Sequence, residues 1–122
     1  MDSVAAKVAA CSGVFLSGAT VTSLLFVNAC DLFYQCGCQA WWNGAAAQCN
    51  IHHTTGPHCP WCLDGGTRGY VVFALTLLVQ AATAFHSGGR GPFGRLVLTL
   101  LAFPVVGGLM AILFGLMTGY WE

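Results

Sequence analysis

Charge is what this 122-residue sequence has least of: 7% of its residues are Asp, Glu, Lys or Arg, where an ordinary soluble domain is about a quarter charged. So few charges cannot cover a chain that is 57% hydrophobic and has a mean hydropathy of +0.72. In water the uncovered apolar surface would drive aggregation, so lipid must be the solvent for much of the chain. An excess of either sign is also missing, with four Lys/Arg against four Asp/Glu. Without a basic face there is nothing to neutralise a phosphate backbone, and nucleic acid is excluded as a partner. Proline is scarce too, at four residues, and only Pro104 falls inside a long apolar run, where it removes one backbone donor and marks a place for a kink.

Apolar runs long enough to cross a bilayer, about 20 residues each, are present. Residues 8–27 form the first, without a formal charge. It is longer than the apolar core of a usual signal peptide and reads as an anchor. Residues 69–86 form a second, at the short end of the range, and residues 96–117 a third. These runs predict an all-α integral membrane protein, a single domain of three transmembrane helices with a loop over about 28–68 between the first two. No internal repeat is evident. Lys7, Arg90 and Arg95 fall on one side and Arg68 on the other, so the positive-inside rule places the N-terminus in the cytoplasm and the long loop and C-terminus outside. Trp41, Trp42, Trp61, Trp121, Tyr34, Tyr70 and Tyr120 all fall on that outer side, as suits rings that favour the headgroup layer.

Gly107, Ala111, Gly115 and Gly119 recur every fourth residue on the third helix, a stripe with almost no side chains where another backbone can approach. It serves either the internal packing of the three helices or the docking of another membrane subunit. Gly13 with Ser17, and Gly18 with Thr22, form a weaker version on the first helix. Gln80, costly to leave toward lipid, is expected to face another helix. Cys11 is expected to pack as a small apolar residue.

Six of the seven cysteines lie in the loop region, as Cys30, Cys36, Cys38, Cys49, Cys59 and Cys62, together with His52, His53 and His58. Three chemistries compete for them. An extracytoplasmic loop without a core of its own invites disulfide staples, and six cysteines leave fifteen pairings open. Thiolates and imidazoles in this density also suit zinc or copper, with Cys59/Cys62 and Cys36/Cys38 as close pairs and Cys49 or a histidine completing the shell. Finally, Cys59-Pro-Trp-Cys62 has the spacing of a thiol-disulfide redox pair, although the next membrane helix starts only after residues 64–67, a distance that weakens activation of the thiol by its dipole.

Cys49, then Thr55-Gly56, then Cys59-Pro60-x-Cys62, followed by Thr67-Arg68 and a membrane helix, resembles a bacterial family of short multi-pass membrane proteins. That family bears a Cys…Thr-Gly-x-x-Cys-Pro-x-Cys-Gly-x-x-Arg signature and has no assigned activity. About twenty residues carry the resemblance. Asn50 stands where the family often has Pro, Leu63 where it has Gly, and Thr67-Arg68 come two residues late. The resemblance implies the architecture and no reaction.

Elsewhere the chemistry is sparse. The glycine-rich segment 87–95 lacks the Lys-Ser/Thr ending of a phosphate-binding loop and reads as a tight inner turn. Neither Asp31 nor Asp64 has a second carboxylate beside it for acid/base work. Few charges, bare glycine stripes and an aromatic loop predict a non-catalytic accessory or structural subunit of a larger membrane complex, redox or energy-converting, with its partners in the lipid bilayer. A thiol oxidoreductase using Cys59 and Cys62, or a metal-handling protein, are the alternatives.

Overall fold

A computed structural model describes residues 2–38, 49–52, 54–86 and 89–121. Three helices account for most of it: α1, Asp2–Tyr34; α2, Thr67–His86; and α3, Pro92–Thr118. All three are long and apolar enough to cross a membrane. Two short 3-10 turns, Asn50–His52 and Leu63–Gly66, shape the segment between α1 and α2. Trp41, Trp42 and His53 lie outside the described residues.

α1 runs beyond the predicted span, through Tyr34, because nothing in residues 28–34 breaks a helix. Cys30 therefore sits on its last turns rather than in a loop. The break comes at Gln35, which is held at φ 51°, a left-handed conformation that costs a non-glycine residue roughly 1 kcal/mol. The Asp31 carboxylate offsets part of that cost by accepting from the Gly37 backbone N–H over 2.8 Å. The chain turns back on itself there, with Gly37 at φ 90°, and this reversal returns Cys36 and Cys38 toward Cys30.

Each helix carries its large apolar side chains outward. Leu16, Leu78, Leu109 and Leu116 are all more than 60% exposed, while Thr22, Thr76, Gln80 and Thr99 are completely enclosed. Small and polar inside, apolar outside, is the distribution expected where lipid replaces water. Gln80 joins all three helices: its Nε2 donates to Thr22 Oγ1 on α1 over 2.8 Å and to the Thr99 carbonyl on α3 over 3.0 Å. Beside it Gly18 lets α1 close on α3, for a Cβ there would lie 2.5 Å from Thr99 Cγ2.

The small-residue stripe of α3 is covered by the chain's own aromatic rings. Phe33 lies against Gly107, Ala111 is 2% exposed, and the Trp121 ring occupies the space a side chain at position 115 would need. Gly119 has a different role, capping α3 in the left-handed conformation at φ 64°. Its N–H and that of Tyr120 return to the carbonyls of Leu116 and Gly115, the Schellman pattern that turns a chain back over its helix. Trp121 is thereby brought over Gly115. α3 is continuous through Pro104.

The two ends of the bundle differ in chemistry. At one end Arg95 donates from Nη1 to Cys11 Sγ over 2.6 Å, so Cys11 is a hydrogen-bond acceptor as well as a packing residue. At the other end lie the remaining cysteines, Trp61, Tyr34 and Tyr120.

Candidate metal centre

Four pieces of chain deliver six thiols to one place. Cys30 comes from the end of α1, Cys36 and Cys38 from the reversal after it, Cys49 from the start of the Asn50–His52 turn, and Cys59 and Cys62 from the turn that leads into α2. That last turn is held by the N–H groups of Cys62 and Leu63, which both donate to the Cys59 carbonyl. It is fastened to α2 where the Gly69 N–H donates to the Trp61 carbonyl over 3.1 Å. The approach needs a glycine, because a Cβ at position 69 would lie 2.9 Å from that carbonyl oxygen.

The sulfurs converge closely. Cys30 Sγ lies 3.0 Å from Cys59 Sγ, 3.3 Å from Cys36 Sγ and 4.0 Å from Cys62 Sγ, and Cys38 Sγ lies 3.6 Å from Cys62 Sγ. Within 4.8 Å of one another stand four triads: Cys30/Cys36/Cys59, Cys30/Cys38/Cys62, Cys36/Cys38/Cys49 and Cys49/Cys59/Cys62. All six are free thiols. Because each sulfur has several near neighbours, no disulfide pairing is singled out. Five are almost wholly enclosed, and Cys62 alone is half-buried.

Neither His52 nor His58 joins these groups among the described residues. Among the described residues the grouped ligand atoms are sulfur alone, so the mixed shell with His52 or His58 expected from the sequence is not brought together, and His53 lies outside the described residues. His52 is exposed, and His58 lines a shallow cleft with Gly56, Leu63, Thr118 and Tyr120. The reason is geometric: the chain passes through Cys59 into the enclosed turn, whereas residues 54–57 remain at the surface.

Asn50 organises the site. Its Oδ1 accepts from the Cys59 backbone N–H over 2.6 Å and from Cys49 Sγ at 3.8 Å. Its Nδ2 donates to the Tyr120 hydroxyl over 2.8 Å, and its own N–H donates to the Cys36 carbonyl over 2.8 Å. One residue, through its side chain and its backbone N–H, thus ties three cysteine-bearing segments to the turn that follows α3. Asp31 performs a similar service by accepting from the Gly37 N–H. The Trp61 indole forms one wall, stacked on Phe26 at 5.1 Å and met edge-on by Phe33 and Tyr34.

Enclosure and mutual hydrogen bonding shift the thiols in opposite directions. Burial pushes the Cys49 thiol up to about 12. Cys36 moves the other way, because hydrogen bonds from the Cys30 and Cys38 thiols, with those of Cys59 and Cys62, favour its thiolate. A bound cation would displace the protons that such thiols carry. As a redox pair Cys59 and Cys62 would have to exchange through Cys62, the half-buried member, since Cys59 is fully enclosed and an exchanging thiol needs access.

Comparison with protein-family models, with curated proteins and with solved structures returns no match for this chain, so its function is argued from these residues.

Proposed function

We propose that this protein is an integral membrane metal-thiolate protein, a three-helix anchor that holds soft metal ions in a six-sulfur site at one end of its bundle. The observation that carries the reading is the convergence of Cys30, Cys36, Cys38, Cys49, Cys59 and Cys62 on one enclosed point. Thiolates select zinc, cuprous copper or iron–sulfur centres over hard cations. A buried group of thiols with no ion among them would leave strong ligands unused. Lys7, Arg90 and Arg95 support a topology with the site at the outer membrane surface, and the resemblance to short multi-pass bacterial membrane proteins supports the multi-pass architecture.

A metal-handling role ranks here above an accessory subunit. The small-residue stripe of α3 was one support for docking, and Phe33 and Trp121 cover it from within the chain. A metal site of this kind would still permit a larger assembly, since the outward apolar faces serve lipid and a neighbouring helix equally well.

The test is elemental analysis and intact mass of protein purified anaerobically in mild detergent. Stoichiometric metal, lost when Cys30 and Cys36 are both replaced by serine, is the expected result. A metal-free protein lighter by the mass of six hydrogens would contain three disulfides and overturn the proposal.

A further inference from the structure

We infer that the site is built for a tetranuclear cuprous cluster, in which each of four Cu(I) ions is bound by three sulfurs and each sulfur bridges two coppers. The inference rests on the metal-thiolate reading above and names its cargo. Its basis is the way the four triads share their members: every cysteine belongs to two triads, and any two triads have one cysteine in common. Four three-coordinate ions joined by six bridging ligands have that connectivity, with the sulfurs at the corners of an octahedron and the metals over alternate faces. Metal–sulfur bonds of about 2.3 Å give triangles with edges of about 4 Å. The closest of the recorded sulfur separations, 3.0–4.0 Å, need only a small outward movement to match.

Other thiolate centres fit less well. Two zinc ions on six cysteines form tetrahedra that share an edge, which puts the outer sulfurs of one ion about 6 Å from those of the other. Four long separations are then required. Only the pairs Cys30–Cys49, Cys36–Cys62 and Cys38–Cys59 fall outside the triads, so no choice of two bridging sulfurs leaves four outer ones far enough apart. An iron–sulfur cube uses four cysteines and places inorganic sulfide between them, which leaves no place for Cys30 and Cys59 sulfurs 3.0 Å apart.

The surroundings suit copper in its lower oxidation state. All the ligand atoms grouped here are sulfur, which favours Cu(I) over the imidazole- and oxygen-loving Cu(II). Five of the six cysteines are no more than 3% exposed, so water is kept from the metals. Cys62, the half-buried member, stands in two triads and offers the way in. Loading converts every thiol to a thiolate, sends the displaced protons to the buffer and leaves four positive charges against six negative. No electron is transferred.

The experiment is an anaerobic titration of the reduced, full-length protein in detergent with chelator-buffered Cu(I), and separately with Zn(II). Cuprous-thiolate luminescence should rise and saturate at four copper ions per chain. X-ray absorption should show three sulfurs around each copper and a short copper–copper distance. Cys11→Ser should leave that stoichiometry unchanged, because Cys11 lies at the far end beside Arg95. Saturation at two zinc ions in four-sulfur sites that buffered Cu(I) does not displace would overturn the copper cluster while leaving the metal-thiolate reading intact. Binding of neither metal by the reduced protein would sink both.

Discussion

The Tyr34 hydroxyl donates to the Ala111 carbonyl over 2.6 Å, while the Tyr34 carbonyl accepts from the Tyr120 hydroxyl. One residue at the end of α1 therefore grips both α3 and the turn that follows it, one helical turn beyond Cys30. The two bonds connect the membrane bundle to the thiol site, and Asn50, which donates to the same Tyr120 hydroxyl, extends the connection into the cysteine turns.

Tyr34→Phe removes the bond to Ala111 and keeps the ring that packs on Trp61. A typical intramolecular hydrogen bond contributes about 1 kcal/mol net. The expected outcome is a lower melting temperature in detergent with full metal loading, measured by thermal unfolding of apo and loaded protein. An equal loss in Tyr34→Ala and Tyr34→Phe would show that the ring contributes nothing.

Asn50→Ala leaves the Cys59 N–H without its acceptor and Tyr120 without its donor. Groups that orient metal ligands typically cost 10–100-fold in affinity when removed, so roughly tenfold or greater weakening of metal binding is expected. Competition with a chelator of known affinity measures it. Unchanged affinity would mean that the cysteine turns hold their shape without Asn50.

Gly18→Val drives a side chain into Thr99, whereas Gly13→Ala meets nothing within 4 Å. Overpacking of this kind costs typically about 1–3 kcal/mol. Thermal or denaturant unfolding should show a clear loss for the first and almost none for the second. Gln80→Leu should lie between, at roughly 0.6 kcal/mol, the average for hydrogen bonds between membrane helices.

Burial raises the Cys49 thiol from 9.0 to about 12. A group raised on folding stabilises the fold fully below its unfolded value, and that contribution is lost as pH climbs through the folded value. Reduced, metal-free protein should therefore lose stability between pH 9 and 12, and Cys49→Ala should make the decline shallower. Metal-loaded protein should not show the decline, since its thiols are ionised already. Unfolding followed across that pH window distinguishes the two.

Three spans were legible because hydrophobic runs of bilayer length have few other uses. Gln80 was legible for a related reason: an amide in mid-membrane must face protein, and it does so against Thr22 and Thr99. The covering of Gly107 and Gly115 was not legible, since spacing shows that a helix face is bare and not what fills it. Trp121 reaches Gly115 only because Gly119 turns the chain back.

The thiol site divides in the same way. Cysteine count and proximity in the chain announced a chemistry of sulfur, and left staples and metal level, with redox exchange behind them. Asn50 looked like a departure from a motif, yet its contacts run to residues nine and seventy positions away. Composition alone determined that this chain belongs in lipid, because charges and apolar residues act largely through their number and local order. Which sulfurs meet, and that His52 and His58 stand apart from them, was decided by the left-handed turn at Gln35, the Asn50 bonds and the seat of Trp61 against α2. Those are contacts between distant segments, and their geometry exists only once the three helices have packed.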